Sequence, residues 1–239
     1  MGVRGPIPGP PTWGVDHRVS DGTGRRTIAL SFEDGPDPVW TRRVLAALQG
    51  AGARATFFVT TPRAVVWPEI VGRILAGGHE IGLHCGRHLN HLDSTEAAIQ
   101  ADGEIALKIL KSQGIEPALW LPPCGTIAPF SGDVARRLGL RLAAWTIDPA
   151  DATGSPQDVL DSVAARLQPG SIVRLHDGFD ESAVDDEPCR FSLEMIARLV
   201  ERARNLGYET VPVSEIGPRT LDLLAEAPAA GHPAAPFPS

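Results

Sequence analysis

The sequence predicts an α/β protein, a barrel of about seven parallel strands with helices between them. Segments typical of strands and helices alternate about seven times between residues 26 and 217, with no repeat of fixed period. Such alternation is typical of a parallel sheet with crossover helices. Polar residues follow the ends of successive predicted strands, and in a closed barrel all of those ends meet at one face. These observations favour a barrel over an open, doubly wound sheet.

The predicted strands are short runs of apolar, β-branched or aromatic residues. They cover residues 27–32, 55–59, 80–83, 118–121, 142–147, 172–175 and 209–213. The predicted helices begin at capping residues or end at glycine, proline or both. They cover residues 39–48, 68–75, 93–113, 132–138, 156–168 and 191–206, with an acidic loop over 178–190.

The chain is expected to divide into a barrel and two flanking segments. Residues 1–25 form a predicted flexible N-terminal arm, because four prolines between positions 6 and 11 disfavour regular structure. Residues 26–217 form the predicted catalytic barrel, and residues 218–239 a Pro- and Ala-rich C-terminal tail with a short helical piece. The arm lacks the apolar core of a secretory signal, so we expect a cytoplasmic location. Three widely spaced cysteines fit reduced thiols.

Charge and composition exclude several classes of partner. The 29 acidic and 22 basic residues give a net charge of -7, which argues against nucleic acid or an anionic membrane surface as a partner. No stretch approaches the roughly 18 consecutive apolar residues of a membrane span. Hydrophobic residues make up 43% of the chain, enough for a substantial core. The expected partner is a small-molecule or amino-sugar substrate, and the sequence indicates no oligomeric state.

Three residues near the ends of the first and third predicted strands form a candidate metal site. Asp34 follows the first strand, and His84 and His88 follow the third. They offer one oxygen and two nitrogen ligands, a set that suits zinc and related divalent ions. Three protein ligands leave a position for water, as in catalytic sites. We therefore expect one divalent ion here, with zinc as the leading candidate.

Three further residues suit acid and base chemistry beside that ion. Glu33 neighbours a ligand and is the candidate general base for an attacking water. His176, at the end of the sixth predicted strand, is the candidate general acid, and Asp151 is the candidate carboxylate that orients its proton. His91 and Cys85 are alternative ligands. Each feature also has an ordinary structural explanation, such as an acidic turn, a strand end or a chance pair of histidines.

Five segments, in order along the chain, resemble the motifs of the polysaccharide deacetylases, carbohydrate esterase family 4. They cover residues 31–35, 80–88, 121–125, 145–151 and 175–177, within a resemblance that spans about residues 27–216. The resemblance implies a distorted (β/α) barrel and hydrolysis of an acyl group from an amino-sugar nitrogen. It also implies a divalent metal on Asp34, His84 and His88. The implied base, acid and supporting carboxylate are Glu33, His176 and Asp151.

Four positions depart from those motifs. Glu33 stands where the family usually has Asp, and Leu121 stands where an Arg usually pairs with the base. Cys124 replaces an aromatic residue, and Ala152 replaces a Trp. Without the arginine, a partly buried carboxylate is expected to protonate more easily, although a divalent metal close by would act in the opposite direction. A reshaped substrate pocket is expected, lined by Leu121, Pro123, Cys124, Gly125 and Trp145.

Together these features predict a metal-dependent amidohydrolase. It would remove an acetyl-like group from the nitrogen of an amino sugar or another small intracellular molecule, since a cytoplasmic protein does not meet cell-wall polymer. Two alternatives stay open. The substitutions at Glu33 and Leu121 would suit a cyclic imide hydrolase of the same fold, or a binding pseudoenzyme in which they have ended catalysis.

Overall fold

A sheet of seven parallel strands lies at the centre of the structure, a computed structural model that describes residues 25–179 and 186–216. The sheet order is β5-β4-β3-β2-β1-β6, and β7 pairs with β1 beside this path. The strands are β1 (Thr27–Glu33), β2 (Thr56–Thr60), β3 (Glu80–Cys85), β4 (Leu119–Trp120), β5 (Arg141–Leu142), β6 (Ile172–His176) and β7 (Glu209–Thr210). Most of the predicted arm and the whole predicted tail lie outside the described residues.

Seven helices connect the strands in the described part of the chain. They are α1 (Trp40–Ala51), α2 (Thr61–Val66), α3 (Pro68–Ala76), α4 (Glu96–Ser112), α5 (Ser131–Arg137), α6 (Pro156–Arg166) and α7 (Glu187–Asn205). Short 3-10 turns cover His91–Asp93, Pro123–Gly125, Pro149–Asp151 and Val213–Glu215. Within the described ranges, no helix has both the length and the apolar composition needed to cross a bilayer.

β1 is the central strand of the fold. All seven of its residues are buried, because it has β2 on one side and β6 on the other and is covered on both faces. Its register pairs Ser31 with Thr56 of β2, and Glu33 with His176 of β6. The carboxyl end of β1 therefore lies beside the carboxyl end of β6, where the sequence places its polar residues.

An irregular segment after β5 brings the two edges of the sheet together. The predicted fifth strand, residues 142–147, is regular only at its start, where Leu142 pairs with Trp120 of β4. Farther along, Ile147 forms an isolated parallel bridge with Val173 of β6, and the Arg174 amide donates to the Ile147 carbonyl at 3.0 Å. This one segment thus contacts both sheet edges, which gives a distorted barrel.

Proline residues lie at the start of two helices whose positions differ from the prediction. Helix α2 was not predicted, although Pro62 lies in its first turn. Helix α7 begins at Glu187, four residues before the predicted start, with Pro188 in its first turn. Proline is common there because the first amide groups of a helix need no acceptor within the helix. The predicted loop over residues 178–190 is therefore shorter than expected.

The core lies between the sheet and the helices that cover it. The rings of Phe32 and Phe57, from β1 and β2, stack with centroids 5.0 Å apart. Helix α1 buries Trp40, Val44 and Leu48, which recur every four residues along one face. Leu48 is fully buried, whereas Leu75, in the last turn of α3, is 47% exposed.

Leu48→Ala is expected to lower the free energy of unfolding by about 2–5 kcal/mol, because it leaves a cavity in the core. Leu75→Ala is the matched control, since both leucines lie near a helix end and differ in burial. It is expected to change the free energy of unfolding by about 0.5 kcal/mol. Urea denaturation measures both values, and equal losses would contradict the packing of α1 described above.

Candidate active site

A residue with a left-handed backbone conformation, at the end of β1, brings two adjacent carboxylates to the same site. Side chains of neighbouring residues point to opposite faces of a regular strand. Asp34 has a φ of 71°, a backbone conformation that Asp tolerates better than most residues. The chain therefore turns at Asp34 as it leaves the strand. Atoms of Glu33, Asp34 and His176 that could bind a metal lie within 4.8 Å of one another.

Asp34, His84 and His88 form a cluster whose spacing fits a metal ion. Asp34 Oδ1 lies 3.3 Å from His84 Nε2 and 3.6 Å from His88 Nε2. Ligands on a tetrahedral ion with bonds of about 2.0–2.2 Å are separated by about 3.3–3.6 Å. Asp34 Oδ1 and His84 Nε2 are buried and have no hydrogen-bond partner. The donor set therefore fits a divalent cation.

A main-chain carbonyl on the side of the ring away from Asp34 fixes the orientation of His84. Its Nδ1 lies 2.8 Å from the main-chain carbonyl oxygen of Leu121. Because a carbonyl can only accept, Nδ1 carries the proton and Nε2 directs its lone pair toward Asp34. The Leu121 side chain is itself buried. Leu121 thus contributes to the site through its backbone.

The charges of the cluster favour an anionic Asp34. Burial raises the pKa of Asp34, but the close contacts with the rings of His84 and His88 outweigh burial and hold that pKa well below its usual range. Burial lowers the pKa of His84, but the contact with Asp34 and the charge of Glu33 outweigh burial and raise it.

Asp102, on helix α4, holds the turn between the two histidines. Its buried carboxylate accepts hydrogen bonds from the amides of Gly86 and Arg87, at 3.0 and 2.9 Å. A Cβ atom at residue 86 would lie only 2.8 Å from Asp102 Oδ1, so any larger residue here would displace the carboxylate from these hydrogen bonds. Asp102 was not predicted as a site residue, because in the sequence it resembles any other acidic residue on a predicted helix.

Arg174, on β6, is the second site residue that was not predicted from the sequence. Its Nε donates to Glu33 Oε1 at 2.7 Å, and its Nη2 makes a short hydrogen bond to the same oxygen. Its Nη1 donates to Asp148 Oδ2 at 2.9 Å. One feature of the sequence could have identified Arg174 as a site residue. It is a charged residue within the apolar run of β6, two residues before His176.

The expectation that Glu33 protonates more easily without an arginine at position 121 is wrong. Burial raises the pKa of Glu33, but the charge of Arg174 and the contact with His176 outweigh burial and lower that pKa to about 2. The positive charge beside Glu33 is supplied by Arg174 on β6 instead of by residue 121. Glu33 is therefore anionic at neutral pH.

His176 contacts a different carboxylate from the one expected. Its Nε2 lies 3.1 Å from Glu33 Oε1. Asp151 lies on the exposed surface, where Arg166 Nη1 donates to it at 3.3 Å. Among the described residues, Glu33 rather than Asp151 is the carboxylate in contact with His176. The 3-10 turn after Asp148 directs Asp151 away from the barrel.

The two alternative metal ligands lie outside the cluster of ligand atoms in the described structure. His91 is buried, with its Nδ1 2.9 Å from Ser131 Oγ and its ring edge-on to Trp120. Burial lowers the pKa of His91 to about 4, which suits a structural histidine. Cys85 is buried at the end of β3, and burial raises the pKa of its thiol.

The predicted substrate-binding residues differ in exposure. Cys124 is exposed, with a φ of 58°, while Pro123 is buried beside it. A Cβ atom at Gly125 would lie 2.3 Å from the Trp145 ring, so glycine permits their close packing. Trp145 is buried, with the Arg174 guanidinium 4.3 Å from its ring centroid. Contact of these residues with substrate stays a prediction.

Comparison with known proteins identifies the family of this site. The family model described as polysaccharide deacetylase matches residues 20–143. The chain belongs to the polysaccharide deacetylase family. The predicted resemblance and the predicted α/β barrel are thus confirmed, and the family is one of hydrolases that remove acyl groups.

Relatives and solved structures agree with that family. A peptidoglycan-N-acetylglucosamine deacetylase of Bacillus cereus is 31% identical over 208 residues, covering 86% of this chain and 92% of the relative. A chitooligosaccharide deacetylase of a Bradyrhizobium species is 28% identical, covering 86% and 97%. The crystal structure of the Bc1960 peptidoglycan N-acetylglucosamine deacetylase has a TM-score of 0.73 at 25% identity, covering 80% of this chain and 88% of that one.

Removing two ligands is expected to abolish metal binding. Native protein, purified without chelators, should hold about one divalent ion per chain, and His84→Ala, His88→Ala protein should hold none, because a single carboxylate binds such ions weakly. Elemental analysis by mass spectrometry measures the content. His91→Gln is the control, expected to retain the ion. Equal metal content in the double variant and native protein would contradict the ligand assignment.

Asp177 is a further buried acid, and it lies beside the loop that carries Asp34. The Thr41 hydroxyl lies 2.6 Å from Asp177 Oδ2 and 3.2 Å from the Asp177 carbonyl oxygen, and accepts from the Asp37 amide. That hydroxyl donates to Asp177, and it is shared between the carboxylate and the carbonyl oxygen. Burial raises the pKa of Asp177 to about 7; the hydrogen bond from Thr41 opposes this shift, and the charges of Asp34 and Asp37 add to it.

Asp177→Asn is expected to remove a pH dependence of stability in metal-free protein. The folded state holds the Asp177 proton more tightly than the unfolded chain does. The resulting stabilisation is complete below about pH 4 and is lost as the pH rises through about 7, by up to about 1.4 kcal/mol per pH unit. Urea unfolding between pH 5 and 8 should show a smaller decline for the variant. Exposed Asp151→Asn is the control, and parallel profiles for Asp177→Asn and native protein would contradict a raised pKa of Asp177.

Proposed function

We propose that this protein is a metal-dependent deacetylase that hydrolyses the N-acetyl group of an amino sugar. The observation that carries the proposal is a buried, unpaired carboxylate oxygen, Glu33 Oε2, beside the candidate metal cluster. A general base needs a free lone pair close to the water that it deprotonates. The named activities of the relatives support the class of substrate, since they act on peptidoglycan N-acetylglucosamine and on chitooligosaccharides.

The site divides the reaction between three parts. Asp34, His84 and His88 would hold a divalent ion, which supplies Lewis-acid polarisation of the amide carbonyl and lowers the pKa of water. Glu33 Oε2 accepts a proton as water attacks the carbonyl carbon. His176 then donates a proton to the departing amine nitrogen as the carbon–nitrogen bond breaks. The products are acetate and the free amine.

The cytoplasmic location and the preference for a small substrate remain part of the proposal. The relatives are named for polymer or oligomer substrates. A panel of N-acetylglucosamine, its oligomers of increasing length and peptidoglycan fragments separates the two possibilities. Turnover of the monomer would support a small substrate, and turnover that rises with length would favour an oligomer.

Acetate release by native protein and by Glu33→Gln tests the proposed chemistry. The glutamine keeps the size of the side chain and removes its basic oxygen, so kcat is expected to fall by about 10²–10⁴-fold with the metal content unchanged. A coupled enzymatic assay for acetate measures the rate. Failure of metal-loaded native protein to release acetate from every panel member would refute the proposal. Substrate binding without turnover, unchanged in Glu33→Gln, would instead indicate a binding pseudoenzyme.

Asp151→Asn separates the motif-based assignment from the observed contacts. Since Asp151 pairs with Arg166 on the surface, the variant is expected to keep the native kcat. A large loss in Asp151→Asn, together with native stability, would restore Asp151 as the partner of His176.

A further inference from the structure

Arg174 hydrogen-bonds to only one of the two carboxylate oxygens of Glu33, the candidate base. Both Nε and Nη2 of Arg174 donate to Glu33 Oε1, and His176 Nε2 lies 3.1 Å from the same atom. A carboxylate oxygen has two lone pairs, so three neighbours fully occupy Oε1. Oε2 is buried and has no hydrogen-bond partner. Oε2 is therefore the oxygen left to accept a proton.

We propose that Arg174 is a positioning residue that fixes Glu33 by one oxygen and keeps the other available as the general base. This inference rests on the proposed hydrolytic function for its catalytic consequence. It does not require Arg174 to touch the substrate or the metal. Without the guanidinium, the buried carboxylate could rotate, exchange its two oxygens and bind His176 through either of them.

The guanidinium is itself held on two other sides. Asp148 Oδ2 accepts from Nη1 at 2.9 Å, and the Trp145 ring lies under the guanidinium, 4.3 Å from ring centroid to Cζ. Asp148 is fixed in turn, because its Oδ1 accepts from the Ala150 amide at 2.9 Å. An arginine held on three sides has little freedom to leave Glu33, which suits a positioning role.

Charge alone does not account for this arrangement. A single cation near Glu33 would lower its pKa, yet a planar fork on one oxygen also sets the direction of the other oxygen. Lysine provides the same charge from a single nitrogen and lacks the fork. Substitution with lysine can therefore separate the charge of Arg174 from its orientation of the Glu33 carboxylate.

Arg174→Met is expected to lower kcat by about 100-fold, since misplacement of a catalytic group by about 1 Å has effects of this size. KM should stay within about twofold of the native value, because Arg174 contacts Glu33 rather than substrate. Arg174→Lys should recover part of the loss. Arg202→Met, which breaks an exposed ion pair with Asp161 on α6, is the control and should leave kcat unchanged. Native kcat in a folded Arg174→Met protein would overturn the proposal.

A measurement without turnover distinguishes this proposal from the deacetylase function. In native protein, NMR of arginine Nε–H groups should show Arg174 as a downfield signal that exchanges slowly, assigned by its loss in Arg174→Lys. The signal should move in Glu33→Gln and stay in place in Arg202→Met. If the signal is retained in a protein that releases no acetate, the contact between Arg174 and Glu33 is supported and the deacetylase function is refuted. An exposed, rapidly exchanging Arg174 signal in native protein would overturn the proposal even if acetate is released.

Discussion

The ion pair between Glu33 and Arg174 is the interaction on which the site depends. A carboxylate on a fully buried strand is costly unless a cation and hydrogen bonds replace its lost hydration. Here the replacement comes from the neighbouring strand, because the register of β1 and β6 places Glu33 beside His176 and Ser31 beside Arg174. Sheet pairing in the core thus determines the ionisation state of the candidate base at the mouth of the barrel.

The rest of the site is built outward from this pair through backbone groups. The Leu121 carbonyl orients His84, the amides of Gly86 and Arg87 bind Asp102, and the Ala150 amide fixes Asp148. Such contacts do not depend on the identity of the side chain that carries the backbone group. They explain how the site can retain its geometry although Leu121 replaces a motif arginine.

The strands, most helices and the metal cluster could be predicted because local patterns encode them. Apolar runs identify buried strands, and polar residues at their ends indicate where His84, His88 and Glu33 lie. Arg174 and Asp102 could not be found this way, since their roles depend on pairing between elements far apart in sequence. The direction of Asp151 was equally inaccessible, because a 3-10 turn of three residues decides it.

The position of Arg174 and His176 on one short strand has a consequence for how this site can change. The two residues are two positions apart on β6, so they share a face of the sheet. Inserting or deleting one residue within β6, ahead of Arg174, would turn both side chains to the opposite face of the sheet. The cation that holds the base and the candidate acid would then be lost in a single event. Sequence drift in this chain can therefore lengthen the loops around β6 far more readily than it can alter the strand itself.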